Sequence, residues 1–155
     1  SMVVLRRLLK ESNAQALVEF AIILPLMLLL LFAIIEYGRV FHTYLVVSHA
    51  SREAARVAAV GGTPGEISAA AESAGATIGI DGEDEDDVRI EDVTIIVDEK
   101  ELKAKKVTVT GHLDLVTPYI TPKLFPSDWQ NDADEDGEPD SNRLNISRST
   151  VMRLE

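Results

Sequence analysis

The chain of 155 residues contains no cysteine. That excludes a disulfide framework, a thiolate metal site and a cysteine nucleophile. Histidine is scarce: His42 and His49 stand seven apart, and His112 is remote from both. No phosphate-binding glycine loop, HExxH or GxSxG sequence occurs. Nucleophilic catalysis needs a nucleophile set beside a base. The carboxylates are too many and too clustered to single out an acid and a base. The sequence therefore reads as that of a non-enzyme. Basic side chains are also short in the second part of the chain. From residue 61 onward nine Lys and Arg face 22 Asp and Glu, against six and four before it, within a formal net charge of -11. Such a field repels phosphate, so nucleic acid is excluded as a partner, and it disfavours lying on anionic lipid.

The length suits one domain with a modest core, and no internal repeat is visible. The apolar residues, 46% of the chain, are concentrated near the N-terminal end. From Ala16 to Ile35 the sequence is ALVEFAIILPLMLLLLFAII. Twenty helical residues span about 30 Å, one hydrocarbon core of a bilayer. So apolar a cylinder exceeds what a soluble domain of this size can surround. Arg6, Arg7 and Lys10 precede it, and positive flanks stay cytoplasmic, which predicts a periplasmic or extracellular C-terminal side. The run is longer than the apolar part of a cleaved secretory signal. Pro25 removes one helical hydrogen bond, which membrane helices tolerate. Glu19 is the single charge in the run; a carboxylate there costs on the order of 3 kcal/mol and calls for a partner or an interfacial position.

Gln15-Ala16-Leu17-Val18-Glu19-Phe20, the apolar run, and then Glu36-Tyr37-Gly38-Arg39 resemble the TadE-like family of pilin-like proteins in tight-adherence (Flp, type IVc) pilus systems. The likeness continues through Thr43-Tyr44-Leu45-Val46-Val47 and Ser51-Arg52-Glu53-Ala54-Ala55-Arg56, and more weakly in the final strand from Ile146 to Glu155. The resemblance implies a cytoplasmic leader over 1–14, removed by a prepilin peptidase between Ala14 and Gln15. Ala14 stands where such families usually carry Gly. It implies further that Glu19, fifth residue of the mature chain, acts in assembly by meeting the new α-amine of Gln15 on its own or a neighbouring subunit. Other pilins, the pilus assembly platform and the lipid bilayer are the partners implied.

No helix breaker occurs before Gly61-Gly62, so one helix is predicted over 15–60, with its first half, about 16–35, in the membrane. Glu36 with Arg39, His49 with Glu53, and Glu53 with Arg56 have the spacing of ion pairs on a helix. Tyr37, Phe41, Tyr44, Leu45 and Ser48 make one stripe; Ala50, Ala54, Ala55, Ala58 and Ala59 make a small-residue face on which a sheet can pack closely. Residues 61–155 read as an acidic extracytoplasmic α+β domain. Thr63-Pro64-Gly65-Glu66 is a helix start, and that helix is expected to end near Gly75. Asp81 to Asp87, DGEDEDD, reads as a solvated acidic loop. Strands are predicted over Val93–Val97, Lys106–Val116 and Asn145–Leu154, with Asp98 to Lys105 as a charged connection. The expected fold is α+β and pilin-like: a long N-terminal hydrophobic helix packed distally on a small antiparallel β-sheet.

Asp132, Asp134, Asp136, Gly137 and Asp140 follow the pattern D-x-D-x-D-G-x-x-D. Carboxylates at alternate positions converge on a hard cation, Gly allows the turn, and Glu138 offers a backbone carbonyl. The loop 132–143 carries Arg143 where an EF-hand has its final acid, so it is EF-hand-like, and calcium is the cofactor it suggests. The functional expectation is a structural or assembly subunit, a minor pilin or pseudopilin of a tight-adherence pilus. The alternatives are a filament-forming major pilin and a membrane-anchored calcium-binding adhesin domain. The expected location is the cytoplasmic membrane, with a single pass, or the pilus filament.

Overall fold

A computed structural model describes residues 2–117, 120–130 and 142–154 of the chain, with side chains from residue 14 onward. The chain divides into two compact units, Ser1–Tyr37 and Gly38–Glu155. Helix α1, Met2–Ala59, supplies the described part of the first and opens the second. Pro25 lies inside it without ending it. The helix stops where the sequence turns to glycine. Gly61, at φ 82°, donates to Ala58 O, and Gly62 donates to Val57 O at 3.0 Å. This 5→2, 6→1 pair is the Schellman arrangement, which satisfies carbonyls that the helix end leaves open. A side chain at Gly62 would lie 2.8 Å from Val57 O, so the close return of the chain also requires glycine.

In the second unit, α2 (Pro64–Gly75) starts at a full capping box. Glu66 N donates to Thr63 Oγ1 at 3.3 Å, and Thr63 N donates to Glu66 Oε2 at 2.8 Å. The Thr63 N–H and hydroxyl hold the Glu66 carboxyl below its ordinary range. Helix α2 buries Ile67, Ala71 and Gly75, one turn apart on a single face.

Three antiparallel strands follow, β1 (Val88–Val97), β2 (Lys100–Asp114) and β3 (Arg143–Arg153), in the order β1-β2-β3. The hairpin differs from the sequence expectation. The segment read as a charged connection, Asp98 to Lys105, is mostly strand: Lys100 already pairs with Val97, and Asp92 with Lys105. The connection is only Asp98 and Glu99, both at positive φ, 50° and 64°. Two such residues match the right-handed twist of the strands they join. β1 likewise begins at Val88, five residues earlier than expected. The extra pairs carry Lys105–Asp92 (3.0 Å) and Lys106–Glu91 (3.6 Å), so the charges line up across the ladder instead of marking a loop.

The core of this unit lies between α1 and one face of the sheet. Val47, Ala50, Ala54, Ala55 and Ala58 of α1 pack with Ile67, Ala71, Val88, Val107 and Val109, all buried. Small side chains bring the helix close to the sheet. At Gly111 of β2 an added methyl would lie 2.7 Å from Val47 and 3.1 Å from Thr43. Ser51 Oγ and Thr150 Oγ1, 2.6 Å apart, satisfy each other inside the contact and tie α1 to β3. Tyr44 faces Trp129, with ring centroids 5.7 Å apart, and Arg148 stands over the Tyr44 ring.

Candidate functional site

Two features stand apart from this packing. The first belongs to the first unit. Between Leu17 and Ile35 fifteen large apolar side chains are exposed, among them Leu17 at 69% and Ile22 at 72%. α1 is the one helix among the described residues long and apolar enough to cross a membrane, and its apolar stretch is not buried by the protein. Leaving that many large apolar side chains in water costs on the order of 20 kcal/mol or more. The segment therefore belongs in an apolar medium, lipid or other helices. Near its start Ala14, Gln15 and Glu19 are all exposed on α1. Gln15 Nε2 donates to Glu19 Oε1 at 3.2 Å. Four residues of helix thus bring the polar end of residue 15 to the one carboxylate of the apolar run.

The second feature is a groove of about 970 Å³ on the sheet face turned away from α1. Alternation builds it. Val107, Val109 and Gly111 point into the core, so Thr108, Thr110 and His112 point out, opposite Ser149, Ser147 and Asn145 of β3. These pairs form a polar ladder: Thr108–Ser149 at 2.7 Å, Thr110–Ser147 at 2.9 Å, and His112 Nδ1–Asn145 Oδ1 at 2.6 Å. His112 Nε2 lies 2.8 Å from Asp87 Oδ1. Asp87, buried, also accepts from Asp81 N at 2.9 Å through its other oxygen. The acidic loop is thereby pinned to the end of the sheet as one wall of the groove. Asp81 and Asp84 each accept a backbone N–H two residues on, so the run folds as successive Asx turns.

Ala14, Gln15 and Glu19 are brought together on one helical stretch. Asp132, Asp134, Asp136, Glu138 and Asp140 lie outside the described residues. Among the described residues no group of three or more His, Asp or Glu is arranged to hold a metal ion. Of the ion pairs expected on the helix, Glu53–Arg56 is formed at 2.9 Å. Hydrogen bonding to the Arg56 guanidinium holds the Glu53 carboxyl below its ordinary range, and the same bond raises Arg56. The stripe from Tyr37 to Ser48 divides: Phe41 and Leu45 are exposed, Tyr44 is half-buried, and Ser48 is buried. The groove itself went unread in the sequence. His112 could be placed on the polar face of its strand, but its partners Asp87 and Asn145 are 25 and 33 residues away.

Comparison with known proteins bears on the first feature. No curated protein and no solved structure matches the chain. The family model described as TadE-like protein matches residues 14–56. That range holds Gln15, Glu19, the exposed apolar run and the helical segment that packs on the sheet. Over residues 14–56 the chain is thus similar to TadE-like proteins.

Proposed function

We propose that the chain is an assembly subunit of a tight-adherence pilus, a minor pilin or pseudopilin. In this reading α1 crosses the cytoplasmic membrane once. Gly38–Glu155 stands on the periplasmic or extracellular side, in keeping with Arg6, Arg7 and Lys10 on the other flank. A prepilin peptidase cuts between Ala14 and Gln15, and the mature chain enters the filament through α1.

The observation that carries the reading is the conjunction at the start of the apolar run. An exposed carboxylate, Glu19, sits one turn from residue 15, at the head of a TadE-like segment. Cleavage after Ala14 would leave an α-amine on Gln15, cationic at neutral pH. In a stack of helices away from water, that amine is the partner Glu19 needs. A subunit out of register leaves both charges unpaired, so the pair sets position as well as attraction.

The test is the intact mass of the chain after co-expression with a prepilin peptidase. Loss of residues 1–14 is the expected result. A full-length product beside a properly processed control pilin would leave a single-pass anchor and sink the pilin reading.

A further inference from the structure

The second unit is a helix layer on a sheet layer, and its two outer faces carry opposite character. On the helix side, Phe41, Leu45, His49, Arg52 and Arg56 recur at spacings of three and four, so they share one face of α1, and all are exposed. Phe41 is 62% and Leu45 49% exposed. The stripe is apolar at one end and basic at the other. Arg56 is shared with Glu53, while Arg52 has no carboxylate partner among the described residues.

The sheet side is the groove. Its charges are partly matched internally: Asp87 meets His112, and Lys106 meets Glu91. Four further lining carboxylates, Asp84, Glu85, Asp86 and Asp128, make no ion pair among the described residues. Arg89 and Arg143 are the remaining basic groups of the lining. The groove is therefore net negative and concave, with Ile78 at its wall. The exposed stripe of α1 is net positive and convex.

We propose that these two faces meet between copies of the chain. The stripe Phe41 to Arg56 of one copy seats on the outer sheet face of a second, with Arg52 and Arg56 toward the 84–87 wall. Because the faces lie on opposite sides of the unit, the contact is heterologous and can repeat in one direction. It rests on the assembly-subunit reading and deepens it by naming one contact between subunits. Charge complementarity sets orientation and excludes like faces, and Phe41 and Leu45 supply the apolar area that the charges alone lack. An anionic lipid surface is the rival occupant of the basic stripe.

The absence of cysteine makes the test direct, because introduced cysteines are the only thiols in the chain. The full-length chain is produced in membranes with His49→Cys, one turn from Arg52 on the same face, with Glu85→Cys, or with both, and then oxidised. The doubly substituted chain is expected to give a ladder of dimers, trimers and higher products. Each singly substituted chain is expected to stay monomeric alone and to give only dimers when the two are mixed. Arg52→Glu is expected to lower cross-linking at least about tenfold, the effect of losing one close interfacial charge pair. Asp86→Lys added to Arg52→Glu is expected to restore it. Absence of a ladder, dimers from one singly substituted chain alone, or a ladder indifferent to Arg52→Glu would each overturn the contact. The last result, with Arg52→Glu instead weakening adsorption to anionic vesicles, would assign the stripe to lipid. Sheared filaments from the same cells separate the two readings. The chain in filaments without a ladder overturns the contact alone; a ladder from a chain absent from filaments supports the contact and overturns the filament reading.

Discussion

At Asp98 and Glu99 two non-glycine residues hold the left-handed backbone that a two-residue hairpin turn demands. Asp tolerates it because its short side chain can bond locally; Glu gains no such relief. Glycine at the second position removes a cost of roughly 1–2 kcal/mol and returns part of it as unfolded-state entropy. Glu99→Gly is therefore expected to stabilise the protein by about 0.5–1 kcal/mol, read as a higher denaturant midpoint with an unchanged slope. A lower midpoint would mean that the Glu99 side chain contributes more than its backbone strain costs. The same two residues explain why the hairpin was misplaced in the sequence. Lys100, Glu101, Lys103 and Lys105 look like a solvated loop, and neither turn residue is the Gly or Asn that marks such a turn. Strand character there comes from pairing with β1, which no local pattern displays.

The closeness of α1 to β2 rests on missing side-chain volume on both sides. Ala50, Ala54, Ala55 and Ala58 are fully buried on the helix, and Gly111 on the strand faces Val47, Thr43 and Ile78. Gly111→Ala forces a methyl into that space and is expected to cost about 1–3 kcal/mol, measured by thermal or denaturant unfolding. Gly65→Ala is the control, since a methyl there meets nothing within 4 Å. Equal effects of the two substitutions would refute the packing account. At this scale much was legible. The alanine face, the Thr63–Glu66 helix start and the alternation of Val107, Val109 and Gly111 all stand in the sequence as periodicities of 3.6 or 2. The strand ends were not legible, because the extensions of β1 and β2 are rich in charge, as at Glu91, Asp92, Lys103 and Lys105, and become strand only through pairing across the ladder.

For the whole molecule, the decisive contrast lies between a segment that cannot live in water and a domain that is strongly acidic. In the assembly reading Glu19 is the one polar handle within the apolar run. Glu19→Ala removes a charge that opposes insertion, so membrane integration is expected to be undiminished while recruitment into filaments falls. Comparing the chain in sheared filaments with the chain in membranes measures the split; normal recruitment would refute the role. What the sequence determined by itself is this N-terminal part, because a twenty-residue run with a single charge leaves few physical solutions and the interleaved charges are local. It also determined the α+β class, since periodicity is written residue by residue. Only the tertiary structure decided where the polar side chains of the sheet converge. Asp87, His112 and Asn145 meet because three segments distant in sequence were brought into one register. The opposition of a basic helix face to an acidic groove is likewise a property of two layers packed together. A charge count along the chain cannot hold it, because side chains adjacent in sequence point to different faces.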